Sequence, residues 1–102
     1  MKTPWGIASS KTKLAEGIVA VRTPSHGGIW LSEDRIKQLP KGLANFIGDA
    51  RWWEEDCDWC VPYIIFEDDI EAYGKASHFT ESLAAAYSTA RHYHPEMIAY
   101  TI

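Results

Sequence analysis

Gly17-Ile18-Val19-Ala20-Val21-Arg22-Thr23-Pro24-Ser25-His26-Gly27-Gly28-Ile29-Trp30-Leu31-Ser32-Glu33-Asp34-Arg35-Ile36 is the stretch that decides the fold class. Gly17 to Thr23 is rich in β-branched residues and is bounded by Gly17 and Pro24, which predicts a strand. Pro24 to Gly28 predicts a turn, because Gly27-Gly28 tolerates positive φ. Ile29-Trp30-Leu31 then predicts a short strand antiparallel to the first. Ser32 is a helix N-cap, with Glu33 and Asp34 placing negative charge in the first turn. Leu31 and Ile36 form a hydrophobic staple across that cap, and Pro40 ends the helix after Leu39. Two strands followed at once by a helix indicate an α+β fold: a small antiparallel sheet of three to four strands with helices packed on one face.

Outward from this stretch the elements are less sharply marked. Trp5 to Ser9 reads as a first strand, and Lys11 to Glu16 as a polar turn or hairpin arm. A second short helix is expected over Gly42 to Ile47, closed by Gly48. Glu54 to Phe66 carries acids and then apolar residues at helical spacing, interrupted by Pro62. It reads either as a kinked helix with an acidic entrance, which is favoured, or as a helix that breaks to a strand at Val61. Asp68 to Tyr73 reads as a helical turn before Gly74. Phe79, Leu83, Ala86, Tyr87 and Ala90 mark one face of a final helix, with Thr80 as its N-cap and Pro95 beyond its end. Met97 to Ile102 reads as a closing strand or a tail.

The chain has 102 residues, 46% apolar and 24% charged, which fits one globular domain over residues 1–102. No apolar run approaches the roughly 20 residues a membrane helix needs. The first residues also lack the apolar stretch of a signal peptide, so the reading is a cytoplasmic protein. The net charge of −4 is unevenly spread. Residues 1–51 hold eight bases and four acids, whereas residues 52–102 hold two bases and ten acids. No base lies between Trp52 and Gly74. Basic residues are scattered and do not alternate with aromatics, which argues against nucleic acid as a partner.

Trp52-Trp53-Glu54-Glu55-Asp56-Cys57-Asp58-Trp59 concentrates acids and three of the five Trp residues. Cys57-x-x-Cys60 has the spacing of a redox motif, but the acids before Cys57 oppose a thiolate and no βαβ pattern surrounds it. As half of a zinc site it would need two of His26, His78, His92 and His94, and His92-Tyr93-His94 is spaced too tightly for a zinc finger. A small buried hydrophobe is the better reading of Cys60, and by extension of Cys57. Glu54, Glu55, Asp56 and Asp58 have the chemistry to bind a divalent cation or to act as an acid–base pair. Acids on one helix diverge, however, so a solvated helix start is favoured. His26-Gly27-Gly28 matches the HGG element of an esterase oxyanion hole, but no G-x-S-x-G elbow accompanies it. No cofactor, metal or catalytic residue is assigned.

Thr3-Pro4-Trp5-Gly6, Gly17-Ile18-Val19, Ser25-His26-Gly27-Gly28-Ile29-Trp30-Leu31-Ser32 and Trp52-Trp53-Glu54-Glu55-Asp56-Cys57-Asp58-Trp59 together resemble a small domain of unknown function. That domain occurs in proteins of bacteriophages, plasmids and other mobile elements. The resemblance spans residues 3–70, and its pattern includes Cys57 but not Cys60. It implies a small non-catalytic binding protein that engages a host or defence protein through an acidic, Trp-rich surface. The candidate binding residues are His26, Trp30, Trp52, Trp53, Glu54, Glu55, Asp56, Asp58 and Trp59. One alternative is a small-ligand-binding or metal-dependent enzyme with a cleft around His26 and Glu54 to Cys57. Another is a structural or assembly protein acting as a homodimer.

Overall fold

The computed structural model describes residues 2–40, 49–74 and 78–95. In chain order the elements are β1 (Lys2–Thr3), β2 (Gly6–Ile7), β3 (Ser10–Ala15), β4 (Ile18–Arg22), β5 (Gly27–Leu31) and α1 (Glu33–Lys37). They continue with β6 (Trp52–Glu54), α2 (Cys60–Ile65), α3 (Glu67–Tyr73) and α4 (Phe79–Tyr93). Strands β3-β4-β5-β6 form a four-stranded antiparallel sheet in that order, and β1 pairs with β2 in a separate hairpin. This is the expected α+β architecture.

Side chains alternate between the two faces of the sheet. On the inner face the register sets Ser10 against Arg22 and Arg22 against Gly27. Thr12, Ala20, Ile29 and Trp53 form the next row, and Ile18 pairs with Leu31 beyond it. The rows change from polar to apolar along the strands. The apolar end carries the core, where Leu14, Ile18, Leu31 and Trp53 pack with Val61, Ile64 and Ile70 from α2 and α3 and with Ala86 and Ala90 from α4. Alanines at two successive turns let α4 lie close to that layer. On the outer face the β1–β2 hairpin brings Trp5 edge-on to Trp52, with ring centroids 5.8 Å apart.

The local signals of the quoted stretch behave as their chemistry requires. The Ser32 hydroxyl accepts from the Arg35 amide at the start of α1, and Leu31 and Ile36 both join the core. Gly74 adopts φ 72° and ends α3 as a left-handed cap.

Five readings are corrected, and one open pair of readings is settled. The strand expected from Trp5 to Ser9 is reduced to Gly6–Ile7, paired only with Lys2–Thr3. Of the two readings of Lys11 to Glu16 the hairpin arm holds: it is the edge strand β3, paired antiparallel with β4, and its exposed polar residues reflect the edge position and not a loop. Gly27 and Gly28 lie inside β5 and neither has positive φ. The turn before them is closed by Thr23, whose hydroxyl accepts from the His26 amide at 3.0 Å and donates to the His26 carbonyl at 2.8 Å. The acidic helix entrance is instead an edge strand, β6, followed by turns over residues 55–59. Helix α2 starts only at Cys60, so Pro62 sits in its first turn. There the missing N–H costs no intrahelical bond, and no kink is required. Thr80 lies inside α4, and His78, at φ 53°, occupies the cap position. The helix expected over Gly42 to Ile47 and the segment Met97 to Ile102 lie outside the described residues.

Candidate functional site

The polar end of the inner face is left open by the helical layer. Ser10, Thr12 and Arg22 floor a cleft of about 510 Å³, with Trp59, Tyr63 and Ser82 on its helical side. Glu55 and Asp56 reach the cleft from the β6 end. The reason lies in the pairing. The register sets Gly28 opposite Glu54, and the Glu55 amide continues the ladder by donating to the Gly27 carbonyl at 3.0 Å. Glu55 therefore follows Trp53 onto the inner face.

The same pairing carries His26 to the cleft rim. One ligand-capable atom from each of His26, Glu55 and Asp56 lies within 4.8 Å of the others. His26 and Asp56 are exposed and Glu55 is half-buried. Arg22 is the nearby cation, with its guanidinium 4.0 Å from the Glu55 carboxylate. Gly27 leaves room for this carboxylate, since a Cβ there would stand 3.2 Å from Glu55 Oε2.

Tyr63 forms the inner wall, edge-on to Trp59 at 5.4 Å and stacked on Phe79 at 5.9 Å. Its hydroxyl is buried and makes no hydrogen bond of regular geometry. Burial pushes its pKa up, an effect that the neighbouring Ser82 hydroxyl partly opposes.

The other candidate residues do not converge on the cleft. Trp53 is fully buried and donates through its indole N–H to the Ala50 carbonyl at 2.6 Å, so it is a core residue. Trp52 and Trp30 pair across β5 and β6 on the outer face, where Glu54 also points by alternation. Asp58 is held by His94, with Oδ1 and Nε2 2.9 Å apart. The Trp residues thus make no continuous exposed surface with the acids. The acids do not share one diverging helix as expected, because Glu55 and Asp56 lie in the turn that follows β6.

Neither thiol is poised for nucleophilic chemistry. Burial, reinforced by the charges of Asp58, Glu54 and Asp56, pushes Cys57 up to about 11. Burial first, and then the Asp58 charge, pushes Cys60 up to about 12, and its Sγ donates to the Cys57 carbonyl at 3.4 Å. Both cysteines are free, and Cys60 is a core residue.

Ser10, Thr12, Arg22, Tyr63 and Ser82 were not singled out by sequence reasoning. The signal that could have found them is the polar-to-apolar progression Ser10, Thr12, Leu14 along alternate residues of β3.

The family model for a domain of unknown function (DUF7007) matches residues 1–101. The chain belongs to this family. The match runs past the resembling segment of residues 3–70 and takes in α4 and Asp58's partner His94. No curated protein and no solved structure matches the chain. Membership in the DUF7007 family brings no ligand or reaction with it, so the site is argued from its geometry. Among the described residues, no helix is long and apolar enough to cross a membrane.

Proposed function

We propose that this DUF7007 domain is a non-catalytic binding protein that seats a segment of a partner protein in the cleft between the polar end of its sheet and α2–α4. The observation that carries this reading is the cleft itself. The polar end of the inner sheet face is left uncovered, and its open end is framed by Glu55, Asp56 and His26. A concave site with an apolar wall and a few convergent polar groups is the usual form of a binding pocket. Trp59 supplies a large amphipathic wall of the kind that anchors protein contacts. The resemblance of its motifs to a domain of phages, plasmids and other mobile elements supports a host or defence protein as the partner class. The recognition surface is narrower than an acidic, Trp-rich face, because Trp53 is a core residue, Trp52 packs against Trp5, Asp58 is held by His94, and Glu54 lies on the outer face.

Thr12→Trp tests this reading, because Thr12 is exposed and its replacement fills the cleft without entering the core. Immobilised wild-type and T12W chains are compared for the proteins they retain from a bacterial host extract, identified by mass spectrometry. A protein retained by the wild type and lost from T12W, with unchanged circular dichroism, supports cleft binding. Equal retention by both chains rejects it. Reversal of Glu55 and Asp56 to Lys is the companion variant and should lose the same protein.

A further inference from the structure

We propose that His26, Glu55 and Asp56 form a binding site for a divalent transition-metal ion such as Zn²⁺ or Co²⁺ at the rim of the cleft. This goes beyond the binding reading and stands on the geometry of three side chains, whatever partner the cleft takes. One imidazole and two carboxylates are a recognised ligand set for such ions, whereas Mg²⁺ and Ca²⁺ are held by oxygen alone. The three ligand atoms already lie within 4.8 Å of one another. Bonds of roughly 2.0–2.2 Å require ligand atoms about 3.4 Å apart in a tetrahedron. The remaining contraction falls mainly on the exposed His26 and Asp56 side chains.

The backbone under these side chains is fixed from both directions. His26 is pinned by the two Thr23 bonds, and Glu55 by its bond to the Gly27 carbonyl. The absence of a Cβ at Gly27 leaves space for the Glu55 carboxylate beside His26. The triad is therefore not a run of neighbouring acids: its imidazole comes from the β4–β5 turn and its carboxylates from the end of β6. A second feature of the cleft also points to a ligand. Tyr63, 95% buried in the wall, has a hydroxyl without a regular hydrogen-bond partner. Three protein ligands leave a coordination position open, and the cleft is where a water or a partner's donor atom would fill it.

Arg22 opposes the ion. Its guanidinium, 4.0 Å from Glu55, competes for the same carboxylate. This makes the site distinguishable from casual metal adsorption, because removing a base should strengthen it.

The test titrates Co²⁺ and Zn²⁺ into the chelator-washed full chain by absorption and calorimetry, with His26→Ala, Glu55→Gln, Asp56→Asn and Arg22→Ala as variants. The expected result is one ion per chain, with no thiolate-to-cobalt charge-transfer band. Affinity should fall about tenfold or more in H26A, E55Q and D56N and rise in R22A. Absence of stoichiometric binding, or binding unchanged by H26A and E55Q, overturns the proposal. A thiolate band does the same, by placing the ion on Cys57. Paramagnetic broadening of the His26 ring signals by Co²⁺ in the wild-type chain decides the question if a variant fails to fold. Broadening confined to other histidines refutes the site. Partner retention by T12W is measured in chelator, so the two proposals fail separately.

Discussion

Gly27 and Glu55 are fitted to each other across neighbouring strands. The Glu55 amide donates to the Gly27 carbonyl at 3.0 Å, and the Glu55 carboxylate lies beside the space a Gly27 side chain would take. A Cβ on Gly27 would stand 3.2 Å from Glu55 Oε2 and 2.7 Å from the Val21 carbonyl. The second contact is with backbone, which cannot swing aside. Gly27→Ala is expected to cost about 1–3 kcal/mol, as overpacking does. It should also displace Glu55 from His26. Urea unfolding measures the first effect, and the chemical shifts of the His26 ring report the second.

Trp53 separates the core from the surface readings of the tryptophans. It is fully buried and its indole is bonded to the Ala50 carbonyl. Trp53→Ala should lose about 3–5 kcal/mol by cavity formation. Trp53→Phe should lose about 1–3 kcal/mol, mainly by leaving a polar group unpaired. Denaturant midpoints of the two variants check the order.

Arg35 ties three segments together. It donates to the Glu16 carbonyl at 2.8 Å and to Asp69 at 2.6 Å, and its guanidinium lies 4.9 Å from the Phe66 ring centroid. Its side chain is only 13% exposed. Arg35→Ala is expected to cost about 1–3 kcal/mol, and Arg35→Lys should recover little, because an ammonium cannot reproduce the planar fork and the ring stacking. Thermal unfolding of both variants tests this.

The cysteines predict an alkaline limit. Their ordinary value is 9.0, and the fold raises Cys57 to about 11 and Cys60 to about 12. The unfolded chain therefore loses these protons first as pH rises. The stability linked to them is complete below pH 9 and is lost as pH climbs through about 11 and then about 12. Near pH 8, Cys57 should hold about a hundredfold less thiolate than an ordinary cysteine. Iodoacetamide labelling followed by mass spectrometry across this pH range is the measurement.

The Asp58–His94 contact joins the turn before α2 to the end of α4. His94→Ala should loosen the last turn of α4 more than its first. Amide hydrogen exchange faster at residues 90–93 than at 83–86, relative to the wild type, is the expected pattern.

Where structure was decided within a few residues, the sequence was readable. The Ser32 cap, the β4 strand, the Gly74 stop and the Phe79–Ala90 face depend on neighbours along the chain. β6 was not readable, because its three residues are too few to show alternation and the acids after them resembled a helix start. Pro62 misled for a related reason. Its cost depends on where the helix begins, and that is set by where β6 ends.

By itself the sequence determined an α+β chain with a polar, base-poor second half and a histidine turn that could face it. Only the tertiary structure decided which acids matter. His26 and Glu55 are 29 positions apart and are joined by the pairing of Gly28 with Glu54, which also sends Glu54 to the opposite face. A shift of one residue in that register would exchange the two carboxylates. Register is fixed by burying Trp53 beneath the helices, an interaction between distant segments that no local pattern encodes.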